Sequence, residues 1–134
     1  MVRSILAVIA GSVTWMLTAL GTDAVLMNTF PQWYNGGGRV EDVPVLLLSG
    51  FYSLLFSVLG GYVTALIAGR RELQHAFILG VLQLLMGIVA TIKFWERAPV
   101  WYHLIFLLLL IPANLLGGRL RARQKSRRLV VLTT

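Results

Sequence analysis

The chain has 134 residues, of which 57% are hydrophobic and only 13% charged, and its mean hydropathy is +0.79. Soluble domains contain about 45–50% apolar and about 25% charged residues, so this composition excludes an ordinary soluble domain. The absence of cysteine excludes disulfides, thiolate metal sites and nucleophilic thiols. Half of the twelve basic residues lie between Arg119 and Arg128, after the last apolar stretch. That position favours anionic lipid headgroups over nucleic acid as the partner.

Four nearly uncharged stretches occupy most of the length, at about residues 4–27, 43–68, 75–94 and 100–116. Each is long enough to cross the roughly 30 Å hydrocarbon layer of a bilayer. Each is expected to be helical, because lipid tolerates only a backbone whose hydrogen bonds are closed. The sequence therefore predicts an all-α bundle of four transmembrane helices over residues 1–118, followed by a short basic tail at 119–134.

Lysine and arginine are distributed unequally between the two sides of this bundle. One side collects nine of them, namely Arg3, Arg70, Arg71 and the six cations of the tail, and the other side collects three, namely Arg39, Lys93 and Arg97. Cytoplasmic flanks carry the excess of positive charge, so both termini are predicted to be cytoplasmic. The other side carries most of the tryptophans and tyrosines near the helix ends, as an interfacial belt does.

The second and third spans carry small residues at steps of about four, which places them on one face of a helix. Helices in a bilayer associate through close packing and hydrogen bonds, and small side chains let two backbones approach closely. Helix–helix contacts are predicted at Ser53, Ser57, Gly61, Ala65, Gly80 and Gly87. The fourth span is almost solid large aliphatic from Leu104 to Ile111, which predicts a more lipid-facing helix.

Two short elements recur along the chain and raise the hypothesis of a duplicated helical hairpin. Leu59-Gly60-Gly61 is echoed by Leu116-Gly117-Gly118, and Pro31-Gln32-Trp33-Tyr34 by Pro99-Val100-Trp101-Tyr102. The alternative is that any such protein needs aromatic residues at outer loops and glycine at inner helix ends.

Few residues within the spans can carry chemistry. Asp23 is the only acid in a span and is expected near the outer interface, with Arg39 or Lys93 as its partner. Gln83 lies nearer the middle and is expected to bond to a neighbouring helix. His75 and His103 fall at opposite ends of the bundle, so they are predicted not to share a metal or haem. Each is expected to hydrogen-bond near the headgroups, with ligation of a pigment or haem as the alternative.

No arrangement of nucleophile, base and acid, no paired carboxylates and no phosphate-binding loop appears in the sequence. The sequence therefore predicts no catalytic, cofactor-binding or metal-binding residues, and a protein that is not an enzyme. The basic tail is expected to continue the fourth helix for a turn or two and to contact anionic headgroups. Docking on an acidic partner is the alternative. Its cations are Arg119, Arg121, Arg123, Lys125, Arg127 and Arg128.

The second half of the chain resembles small four-helix bacterial inner-membrane proteins whose activity is uncharacterised. The resemblance covers about residues 50–125 and rests on Gly60 to Tyr62, His75-Ala76, Pro99 to His103 and Leu116 to Arg119. It implies a bacterial inner-membrane location and the same topology, and it brings no activity with it.

The function predicted from the sequence is that of an accessory or structural subunit beside a larger membrane protein partner. Its basis is a tightly packed apolar bundle with a basic tail and no evident polar cavity. A small transporter or channel component, working as a homo-oligomer, is the alternative, and it needs polar residues that converge at mid-membrane. Only Gln83, Thr14 and Thr18 are candidates for that role. A subunit that carries a pigment or haem is the third possibility.

Overall fold

The computed structural model describes residues 1–133 and confirms the predicted all-α bundle. Its four long helices are α1 (Val2–Thr29), α2 (Val43–Ala68), α3 (Glu72–Lys93) and α4 (Val100–Thr133). Short 3₁₀ turns at Pro31–Gly37 and Trp95–Arg97 join α1 to α2 and α3 to α4. All four helices are long and apolar enough to cross a membrane. The chain is therefore a multi-pass membrane protein.

Helix α2 contacts all three of the other helices. It packs most extensively against α4 and α1, while α4 also packs along α3. The order around the bundle is α1–α2–α4–α3, and α2 runs parallel to α4. The stretch from Leu104 to Ile111 is largely exposed, as its aliphatic composition predicts. The prediction does not hold for the whole helix, because Asn114, Gly117 and Gly118 bring the following part of α4 into close contact with α2 and α3.

The contact between α2 and α4 is made by backbone against backbone. A β-carbon added to Gly61 would overlap the carbonyl oxygen of Asn114, and one added to Gly117 would overlap that of Val58. The two glycines are thus reciprocal, each seated against the main chain of the opposite helix. Small residues allow this approach between membrane helices, where dispersion rather than hydrophobicity holds the pair together.

The two Leu-Gly-Gly elements face their neighbours in opposite orders. In α2 the first glycine, Gly60, faces Gly11 of α1, and the second, Gly61, faces α4. In α4 the first glycine, Gly117, faces α2, and the second, Gly118, faces Ala76 of α3. If a twofold rotation exchanged two equivalent hairpins, the first glycine of each element would face the other helix of its own hairpin, and the second would face the other hairpin. The bundle therefore does not fit a pair of hairpins related by a twofold axis.

Basic side chains hold together the end of the bundle at which α2 ends and α3 begins. Gly69 ends α2 in the left-handed conformation, with φ of 71°. Arg3 Nε donates to the carbonyl oxygen of Ile67 at 2.6 Å, and Lys125 Nζ donates to that of Gly69 at 2.7 Å. Cations at the negative end of a helix satisfy carbonyls that have no partner within the helix.

Helix α4 does not end where the apolar span ends. It continues to Thr133, so the predicted boundary between residues 118 and 119 falls inside a continuous helix, and Thr134 lies outside the described residues. Lys125 also pairs with Glu72 at 2.9 Å, and Tyr62 donates to Gln124 at 2.6 Å. These contacts attach the extension to the α2–α3 turn for about two turns of helix.

Candidate functional site

A partly open cavity of about 430 Å³ lies between α1, α3 and α4, with α2 behind it. A second cavity of about 270 Å³ adjoins it beneath the α1–α2 loop. The two share Asp23, Phe94, Tyr102 and His103. We call the two together the aromatic-end cavity, because they lie at the end of the bundle that carries Trp33, Tyr34, Trp95, Trp101 and Tyr102. We call the opposite end, with Arg3, Arg70, Arg71 and the α4 extension, the basic end.

Asp23 is the carboxylate of the aromatic-end cavity. It lies six residues before the end of α1, or about 9 Å along the helix axis. The buried Tyr52 hydroxyl of α2 donates a hydrogen bond to Asp23 Oδ1. Of the two predicted partners, Arg39 is instead paired with Glu41 at 2.8 Å in the loop, and Lys93 forms no ion pair within residues 1–133. Asp23 is therefore bonded to a phenol hydroxyl and not to a cation, which the distribution of charges in the sequence did not predict.

The loops and the start of α4 cover this cavity. The Val40 amide donates to the carbonyl oxygen of Arg97 at 2.9 Å, which connects the α1–α2 loop to the α3–α4 loop. The Arg97 guanidinium lies over the Phe94 ring, 4.7 Å from its centroid. His103 stacks on Trp95 with ring centroids 5.6 Å apart, and its Nε2 lies 3.4 Å from the Trp95 carbonyl oxygen.

Two polar groups that line the cavity lack a hydrogen-bond partner within residues 1–133. They are the Tyr34 hydroxyl, on a side chain only 7% exposed, and Trp15 Nε1. Buried polar groups are rarely left without a partner in native proteins. Both atoms are themselves buried, so they lie beside the cavity as unsatisfied groups and are not open to a ligand without a movement of the side chains.

The middle of the bundle holds a buried amide pair instead of a cavity lining. Asn114 Nδ2 donates to Gln83 Oε1 and to the carbonyl oxygen of Leu110, each at 2.9 Å, and both amide side chains are fully buried. This confirms that Gln83 bonds to a neighbouring helix. Thr14 and Thr18 donate to carbonyl oxygens of their own helix, α1, at 2.8 and 2.7 Å. Asn114 was not among the residues predicted from the sequence, although an amide inside an apolar span is a usable signal.

The six predicted packing residues fall into two groups. Five lie against neighbouring helices: Ser57, Gly61, Ala65 and Gly80 are buried, and Gly87 faces Leu107 and Leu110 of α4 while it also lines the cavity. Ser53 lies one turn nearer the aromatic end and lines the cavity. The serine–glycine face of α2 thus changes from a packing surface to a cavity wall along its length.

The two histidines lie at opposite ends, as predicted. His75 is at the basic end, where its Nδ1 lies 3.0 Å from the Arg71 carbonyl oxygen. Each histidine thus contacts a backbone carbonyl close to its own helix terminus. Within residues 1–133 no group of three or more acidic or histidine side chains is placed to hold a metal ion.

Comparison with known proteins finds no matching family model, no matching curated protein and no matching solved structure. The resemblance to small four-helix bacterial membrane proteins therefore stays a prediction. One fold serves many activities, so the residues of the cavity are the observations that bear on function.

Proposed function

We propose that the protein binds a small organic cation in the aromatic-end cavity, as the ligand-binding part of a small membrane transporter. The observation that carries the proposal is a single carboxylate, Asp23, in a cavity walled by Trp15, Phe94, Tyr102 and Phe106. An ionisable residue within a membrane span is costly and marks a functional site by default. Aromatic faces attract cations by about 0.5–2 kcal/mol each, and a carboxylate adds charge complementarity.

This proposal places the transporter function ahead of the accessory-subunit function. The sequence favours the accessory subunit because it shows no evident polar cavity. The transporter alternative was expected to use Gln83, Thr14 and Thr18, but their side chains are engaged within the bundle. The aromatic-end cavity supplies a different set of residues for the same function. We propose a non-enzymatic role, since Asp23 is bonded to Tyr52 and His103 contacts a backbone carbonyl.

The test is calorimetric titration of the protein in lipid nanodiscs with benzyltrimethylammonium and with neopentylbenzene, its neutral analogue of the same shape. The cation is expected to bind and the neutral analogue to bind at least 10-fold more weakly. Asp23→Asn is expected to lower that preference, because it removes the carboxylate charge that attracts the cation and leaves only the ring faces. Glu41→Gln, in the exposed loop, is the control and is expected to bind normally. Equal binding of both compounds, or normal binding by Asp23→Asn, would contradict the proposal.

We propose further that the membrane is a bacterial inner membrane and that both termini are cytoplasmic. The excess of nine cations over three between the two ends supports this orientation. The chain lacks cysteine, so single cysteines can be introduced as Glu41→Cys and Ser126→Cys. In intact spheroplasts a membrane-impermeant maleimide is expected to label the first and to label the second only after permeabilisation. The opposite pattern would reverse the orientation.

The accessory-subunit function remains the second candidate, because the end of α4 favours it. Leu129 and Leu132 are 57% and 82% exposed, beyond the basic stretch of the helix. Such apolar residues past the headgroup region suit docking on a larger membrane protein or on a second copy. Removal of residues 129–134 is expected to release a protein that co-purifies in mild detergent, with the bundle intact by circular dichroism. A full-length protein that always purifies alone as a monomer would exclude this function.

A further inference from the structure

The basic end has far more positive charge than its own acids neutralise. It carries nine lysines and arginines but a single acid, Glu72. Lys125 occupies that acid at 2.9 Å. Within residues 1–133 the only other ion pair joins Arg39 to Glu41, at the aromatic end. Apart from Lys125, the cations at the basic end therefore form no ion pair in the described part of the chain.

The cations near the α2–α3 turn have two different roles. Arg3 and Lys125 donate to carbonyl oxygens at the end of α2, so they serve the fold. Arg70 and Arg71 lie in the turn itself, and both are exposed. Arg71 has φ of 50°, a left-handed conformation that non-glycine residues adopt at a cost of about 1–3 kcal/mol. Strain of that kind is found at ligand sites more often than elsewhere.

Both arginines line a cavity of about 370 Å³ between the beginning of α1 and the beginning of α3. Ser4, Gln74 and His75 also line it, so further hydrogen-bonding side chains accompany the two arginines. The position of His75 is fixed by its contact with the Arg71 carbonyl oxygen. The guanidinium group presents paired N–H donors in a plane, and this arrangement matches the oxygens of a phosphate group.

We propose that this cavity binds a phosphate group, supplied by an anionic lipid headgroup or as a free phosphate. The cavity lies where the apolar parts of α1 and α3 begin, at the depth where headgroups meet a membrane helix. It is at the opposite end of the bundle from Asp23, so it does not depend on the proposed cation site.

The test compares two double variants that remove the same charge from the same end. Arg70→Gln/Arg71→Gln changes the cavity, while Arg127→Gln/Arg128→Gln changes the α4 extension beyond the cavity. Each protein is purified in mild detergent and mixed with phosphatidylglycerol or phosphatidylcholine, and the bound lipid is measured by native mass spectrometry. The wild type and the α4 variant are expected to retain phosphatidylglycerol, and the cavity variant to bind it at least 10-fold more weakly. Arg70→Lys/Arg71→Lys keeps the charge and is expected to recover only part of the binding, because lysine cannot bind in the bidentate mode.

Inorganic phosphate identifies the source of the group. Displacement of the lipid by millimolar phosphate in the wild type, but no phosphate binding by the cavity variant, would indicate a free phosphate ligand. Retention of the lipid under the same conditions would indicate the headgroup. If both glutamine variants bound phosphatidylglycerol equally weakly, the binding would depend only on the total positive charge of the basic end, and the proposal would be overturned. Unchanged binding in the cavity variant would overturn it as well.

Discussion

Substitution of Gly117 by alanine tests the backbone contact between α2 and α4. The added methyl carbon would overlap the Val58 carbonyl oxygen and lie 2.6 Å from the Tyr62 amide nitrogen. Ordinary contact with both atoms requires the two helices to separate by roughly 1 Å, which a close-packed interior resists. Overpacking of this kind costs about 1–3 kcal/mol, against a gain of at most about 1 kcal/mol from the helix preference of alanine.

Gly21→Ala is the matched control, since nothing lies within 4 Å of the added carbon and the helix preference changes equally. Unfolding by SDS in mild detergent, followed by circular dichroism, gives the two free energies of unfolding. Gly117→Ala is expected to be about 1–3 kcal/mol less stable than Gly21→Ala. Gly87→Ala is expected to fall between them, because its nearest neighbour is a mobile leucine methyl group, Leu107 Cδ2, at 2.9 Å. Coincident unfolding curves for Gly117→Ala and Gly21→Ala would refute the contact.

Three further substitutions follow from single interactions. Asn114→Leu is expected to cost about 1–3 kcal/mol because it leaves Gln83 Oε1 buried without a donor, and Gln83→Leu added to it is expected to restore much of that loss in the same SDS titration. Lys125→Gln is expected to lower the midpoint of thermal unfolding, with a loss of at most about 1 kcal/mol in the free energy of unfolding, since the Lys125 side chain of the ion pair is 42% exposed. The same loss in 1 M salt would contradict an ionic cause. Tyr34→Phe is expected to leave the stability of the free protein unchanged or slightly higher, because its hydroxyl is buried with no partner within residues 1–133. A clear loss of stability would indicate a structural role.

The helices could be predicted from the sequence because their signals are local. Helix α2 has the bounds expected for it, with Pro44 in its first turn and Gly69 beyond its end. Alternating cations form no single basic face, so the sequence predicts only one or two turns of helix beyond the fourth span, whereas α4 continues to Thr133. In the structure Lys125 and Gln124 find partners on the α2–α3 turn and on α2, and these partners are distant in sequence.

The candidate site could be predicted only in part. Asp23 stands out in any reading of the sequence, because it is the only acid within a span. Its contact with Tyr52 depends on how α1 and α2 are rotated about their axes, and composition does not specify rotation. The signal that was available is depth. Asp23 lies about 9 Å from the end of α1 and Tyr52 about 13 Å from the start of α2, so two antiparallel neighbours place them at nearly the same level.

The cavity and the close packing have a common origin in the faces that the helices present to each other. On α1, Gly11 meets the backbone of Gly60, and one turn further on the same face Trp15 begins to line the cavity, followed by Asp23 two turns later. On α2, Gly61 meets α4, and Ser53, two turns nearer the aromatic end, is a cavity wall. Glycine at one end lets backbones touch, whereas the rings at the other end keep the helices apart and leave space between them. Separation of the glycine contacts should therefore alter the cavity as well as stability. Gly117→Ala, which changes no residue that lines the cavity, is expected to weaken cation binding, while Gly21→Ala leaves it intact.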